Sequence, residues 1–76
     1  MIDELDTVVL AREIEDYGLQ KGDIGAVVHV YHGGMSYEVE FVTGEGETIA
    51  LLTLTADDIR PMHEHEILHV RELVPA

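Results

Sequence analysis

Apolar and polar residues alternate most regularly over Ser36-Tyr37-Glu38-Val39-Glu40-Phe41-Val42-Thr43. Successive side chains of a strand point to opposite faces. The segment therefore predicts a strand whose Tyr37, Val39 and Phe41 face a core while Glu38 and Glu40 face water. Thr7-Val8-Val9-Leu10-Ala11 is short and β-branched and predicts an earlier strand, with Leu5 as a further core candidate just before it. Gly25-Ala26-Val27-Val28-His29-Val30-Tyr31-His32 predicts another, joined to the third by a hairpin through Gly33-Gly34. Thr48-Ile49-Ala50-Leu51-Leu52-Thr53-Leu54 follows the turn Gly44-Glu45-Gly46-Glu47 and is apolar on both faces, which predicts a strand that is central or covered by another chain. Ile59-Arg60-Pro61-Met62 is expected to be extended and to close the sheet, because a residue before proline is restricted to extended conformations.

The connections are read from their punctuation. Residues 12–23 are polar and carry two glycines, so they predict a long loop from which Ile14, Tyr17 and Leu19 could tuck onto the core. Thr55-Ala56-Asp57-Asp58 suits the cap of a single helical turn. In the tail from His63 to Val74, residues Ile67, Val70, Leu73 and Val74 fit a helical stripe better than Leu68, Val70 and Glu72 fit a strand, so a short helix is favoured over a strand. Five short strands are too few for two packed sheets, and the expected fold is mainly β, a small five-stranded barrel over residues 1–62 with a C-terminal extension over 63–76. That extension packs on the barrel or on a partner.

The run Gly18-Leu19-Gln20-Lys21-Gly22-Asp23-Ile24-Gly25-Ala26-Val27-Val28-His29-Val30 resembles the SH3-like small barrels, in which a Gly-Asp-x-Gly-x-Val signature opens the second strand. More narrowly, Leu5 to Met62 resembles a bacterial family numbered 4926 among domains of unknown function. The residues that carry this are Asp6-Thr7-Val8-Val9-Leu10, Gly22-Asp23-Ile24-Gly25-Ala26-Val27-Val28 and Tyr37-Glu38-Val39-Glu40-Phe41. The resemblance implies an SH3-like barrel and transfers no catalytic residue.

Charge narrows the partners. Sixteen acidic residues against four basic ones give a net charge of -12, which repels nucleic-acid backbones and anionic lipid surfaces and favours encounter with a basic protein. Neither nucleic acid nor a membrane is therefore expected as a partner. The N-terminal segment lacks the basic flank and long apolar stretch of a signal peptide, so the expected location is the cytoplasm. With no cysteine in the chain, compactness must come from aliphatic packing or from association.

Candidate chemistry is sparse. His65 and His69 would share one face of a helical tail at metal-ligand spacing, with His63, Glu64 and Glu66 nearby, but without cysteine or a recognised zinc motif solvated titrating side chains account for them better. His29 and His32 lie three apart on a strand and point to opposite faces unless a bulge intervenes, and His29 is expected to pair across strands. No hydroxyl sits in a nucleophile motif, Glu38 and Glu40 form a solvated face, and the glycines at 22, 25, 33 and 34 suit tight turns better than a phosphate loop. Neither an enzyme nor a cofactor is expected.

What remains is surplus aliphatic surface. Ile49, Leu51, Leu52 and Leu54 of the fourth strand, with Ile67, Leu68 and Val70 of the tail, exceed what a small barrel interior holds. The expected function is a non-catalytic protein-interaction module, an acidic accessory or neutralising partner of another bacterial protein. These aliphatics would form its contact surface, and Glu38, Glu40, Glu45 and Glu47 would form a steering rim. A homodimer through the same surface is expected as well. The alternative is a metal-binding protein using the C-terminal histidines.

Overall fold

β-branched and aromatic residues that alternate in and out along the strands build one sheet. The computed structural model describes residues 2–73. In chain order it contains β1 (Thr7–Leu10), a 3₁₀ turn (Glu15–Tyr17), β2 (Ile24–Tyr31), β3 (Ser36–Val42), β4 (Thr48–Leu54) and β5 (Ile59–Pro61). The five strands form one antiparallel sheet in the order β4-β3-β2-β1-β5, so the first four make a meander and β5 returns to pair with β1. This is the mainly β, five-stranded fold expected, and its curl is compatible with a small SH3-like barrel. The sheet is not closed. β5 pairs with β1 and not with β4, which is an edge strand; of the two places its apolar faces suggested, central or covered by another chain, the central one is excluded.

The core sits inside the curl. Tyr37, Val39 and Phe41 of β3 are buried as their alternation predicts, and they pack with Val8, Leu10, Val27, Leu54 and Ile59. Gly25 faces the same core at an ordinary strand conformation, where a Cβ would lie 2.6 Å from Val39 Cγ1 and 2.8 Å from Phe41 Cε1. Close approach of β2 to β3, not a positive φ, is what requires glycine there. A bulge between Val27 and His29 then shifts the register of β2 on β3. Positive φ is required at Gly33 and Gly34, which follow His32 (φ 48°) through the β2–β3 turn.

Four tight turns among the described residues share one chemistry. A carboxylate accepts a hydrogen bond from the backbone N–H three residues earlier, while its own residue's N–H donates to that residue's carbonyl. The pairs are Asp3 with Asp6, Gln20 with Asp23, Thr55 with Asp58, and His63 with Glu66. Three of these carboxylates also take an arginine: Asp58 takes Arg12, Glu66 takes Arg60, and Asp23 takes Arg71. All three arginines of the chain are thereby docked on turns. Part of the acidity seen in the composition is structural.

Several local expectations change. Thr55–Asp58 is one of these turns and not a helical turn, because Asp58 folds back onto the Thr55 amide. In the first loop Leu19 is buried and Ile14 half-buried, bridged to each other, but Tyr17 stays exposed on the 3₁₀ turn. Leu5 is not a core residue. It has φ 73° and is 85% exposed, while its amide donates to the Val27 carbonyl and so begins the β1–β2 ladder. The tail is neither the short helix nor the strand expected: beyond the turn at His63–Glu66 it runs without regular structure to Leu73. Its side-chain tethers lie at both ends, Glu66 on Arg60 and Arg71 on Asp23. Val74, counted in the helical stripe, lies outside the described residues.

Candidate functional site

The tail forms a strap held at two points. At its start, the Arg60 guanidinium donates to both oxygens of Glu66 at 2.8 and 2.6 Å, and the His63 amide donates to Glu66 Oε1 at 2.7 Å. Those hydrogen bonds from Arg60 and His63 hold the Glu66 carboxyl down at about 2, against modest opposition from burial. Near its end, Arg71 donates to Asp23 Oδ1 at 2.9 Å and Oδ2 at 2.5 Å, and also to the Gly18 carbonyl at 2.9 Å. Burial pushes the Asp23 carboxyl up, yet the Arg71 hydrogen bonds, the Gln20 amide and the Arg71 charge together prevail and lower it. Two-pronged pairing of this kind fixes geometry as well as distance.

Beneath the strap lies the outer face of β1 and β2. Val9 pairs with Ile24 on one side and Arg60 on the other, points away from the core that holds Val8 and Leu10, and is nevertheless buried. A cavity of about 130 Å³ separates Val9 and Ile24 from Glu66, Ile67 and His69 of the strap. A larger open groove of about 740 Å³ runs from Leu19 and Ile24 past Phe41 and Ile49 to Leu73. Above this ground the strap's aliphatics turn outward: Ile67 and Val70 are each 92% exposed and Leu68 is 68% exposed.

The fourth strand contributes less than its composition suggested. Leu54 is a core residue, so it does not belong to any contact surface. Ile49 and Leu52 are half-buried against the core, and Leu51 alone of the four is open, at 52% exposure. Beside it, Glu38 and Glu40 are not free carboxylates. Thr53 Oγ1 donates to Glu38 at 2.6 Å and Thr48 Oγ1 donates to Glu40 at 2.7 Å, which ties both acids across the face of the sheet. Tyr31 also reaches Glu38 at 3.4 Å, and burial together with that carboxylate's charge and hydrogen bond pushes the phenol up. Glu45 and Glu47 are exposed on the β3–β4 turn, closed by hydrogen bonds between Thr43 and Glu47.

The histidines do not assemble. Without a helix, the reason for placing His65 and His69 on one face is gone, and among the described residues no group of three or more potential metal-binding side chains comes together. His29 pairs across strands with Glu38, stacks edge-on to Tyr31 at 4.5 Å and approaches Glu4 at 3.9 Å, while His32 sits in the turn. Sequence reasoning passed over the groove, which has no local signature because it is lined from three separate stretches of chain. It also passed over Val42 and Met35, both well exposed. No described helix is long and apolar enough to cross a membrane.

No curated protein and no solved structure matches the chain at a significant level. Residues 4–61, the segment that carries all five strands, match the family described as Domain of unknown function (DUF4926), and the chain belongs to that family.

Proposed function

We propose that this chain is a non-catalytic protein-interaction module of the cytoplasm that binds and neutralises a basic protein through the outward face of its strap. The supporting observation is that Ile67, Leu68 and Val70 project into water from a backbone already pinned by Arg60–Glu66 and Arg71–Asp23. A backbone tethered on both sides loses less freedom on binding, so more of the burial of its apolar side chains appears as affinity. The net charge of -12 favours a basic partner and speeds the encounter. Glu45, Glu47, Glu64 and Glu72, all exposed, supply charge that no internal arginine engages.

The test is affinity capture by the immobilised full chain. A basic protein should be retained from lysate at low salt and released as salt rises, and the triple variant Ile67→Ser, Leu68→Ser, Val70→Ser should retain none of it. Equal retention by the triple variant would remove the strap from the binding surface, and retention that salt does not weaken would remove the electrostatic part.

A further inference from the structure

An antiparallel sheet with two edges presents two rows of unpaired backbone groups, and natural proteins blunt such rows with charge, proline or short length. The β5 edge is blunted in this way, with three residues that include Arg60 and Pro61. The β4 edge is not. Thr48–Leu54 is seven residues long and contains no charged residue, no proline and no glycine. Among the described residues its backbone forms no hydrogen bond beyond the ladder to β3. On a chain of net charge -12 this is an uncharged strip, and the two nearest acids on its outer face are bound back by the strand's own threonines.

From these features we infer that β4 is a pairing edge for a second copy of this chain, joined antiparallel about a two-fold axis through Leu51. Charge selects the occupant: two equally acidic copies repel over most of their surfaces, and this strip is where they meet without opposing charges. Geometry selects the register. A two-fold perpendicular to the sheet must keep core-facing residues beside core-facing residues, so it passes through a residue and not between two. β4 carries a bulge where Ala50 faces Phe41 and Thr48 faces Val42, so its alternation is regular only over residues 50–54, and the axis falls at Leu51, the most exposed aliphatic of that stretch. That axis sets Leu51 against Leu51 of the second copy and Ala50 against Leu52, while Thr48 and Ile49 at the bulge lie outside the regular pairing. The half-open Leu51 is then covered, and the two sheets become one of ten strands.

This surface is distinct from the strap, and the two respond oppositely to salt. Pairing of like-charged copies strengthens as salt rises, whereas capture of a basic protein weakens. The chain has no cysteine, so Leu51→Cys introduces a single thiol whose mate lies directly opposite, while Met35→Cys places one at the β2–β3 turn, away from the edge. Under mild oxidation Leu51→Cys should give covalent dimer at least about tenfold faster than Met35→Cys, because cross-strand neighbours lie within disulfide reach. Sedimentation of the unmodified chain should show a dimer at high concentration. Leu51→Lys, folded by circular dichroism, should weaken it by at least about tenfold because it opposes two like charges. Equal rates for the two cysteine variants, or a monomer at every concentration and salt, would overturn the pairing.

Discussion

Arg71 reaches back across 48 positions to grip both carboxylate oxygens of Asp23, and in doing so fastens the end of the strap to the turn that opens β2. The contact depends on a forked guanidinium, which an ammonium cannot reproduce. Arg71→Lys should therefore release the strap almost as fully as Arg71→Ala, each at a cost of about 1 kcal/mol in urea unfolding, as a partly exposed ion pair with charge-assisted hydrogen bonds implies. Hydrogen exchange should report the loss first at the amides of residues 67–72.

Acid should undo the strap before the sheet. The Glu66 carboxyl is lowered from 4.5 to about 2, and those of Asp23 and Asp58 are lowered from 3.8. A carboxyl that is more acidic in the folded than in the unfolded chain adds stability that is complete above its unfolded value and disappears as pH falls through its folded value. For Glu66 the window runs from about 4.5 down to 2. Amide signals of residues 63–71 should shift and broaden in this range while those of β2 and β3 persist, and a single concerted loss of all signals would contradict the order.

Gly25→Ala should be costly although the backbone there is ordinary. The added methyl would meet Val39 Cγ1 and the Phe41 ring inside van der Waals contact, and forcing an extra methyl into a packed core costs about 1–3 kcal/mol. Adding Phe41→Leu to the same chain should recover part of that loss. Thermal unfolding of the single and double variants measures both effects.

Leu5 offers a gain in place of a loss. Its side chain is 85% exposed, so little apolar burial is at stake, and its φ of 73° lies where leucine is strained and asparagine is tolerated. Leu5→Asn should raise the unfolding free energy by up to about 1 kcal/mol. A lower midpoint in denaturant would show that the exposed leucine makes a contact that matters.

The legible parts of the sequence were those governed by local period. β3 alternates without a break, and its inward set is the buried set. β4 was found with its observed bounds, yet its place was left between the centre of the sheet and a face covered by another chain, because strand order depends on where β5 returns and no residue of β4 encodes that. The tail misled for a related reason. Its helical stripe is real as a pattern, but Glu66 and Arg71 are drawn to partners on β5 and the first loop, and the segment between them has no regular structure. Leu54 was assigned to a surface because composition cannot separate the two faces of a strand that carries aliphatics on both, and burial beside Tyr37 of β3 decides it.

Val9 gives the strap a second meaning. It is a buried valine on the wrong side of its strand, and the hollow beside it is lined in part by residues that come after the last strand has ended. A piece trimmed to the family-matched stretch would retain every hydrogen-bonded ladder and still bare an oily spot beside Ile24. The stretch recognisable by descent thus ends before the residues that line the far side of that hollow.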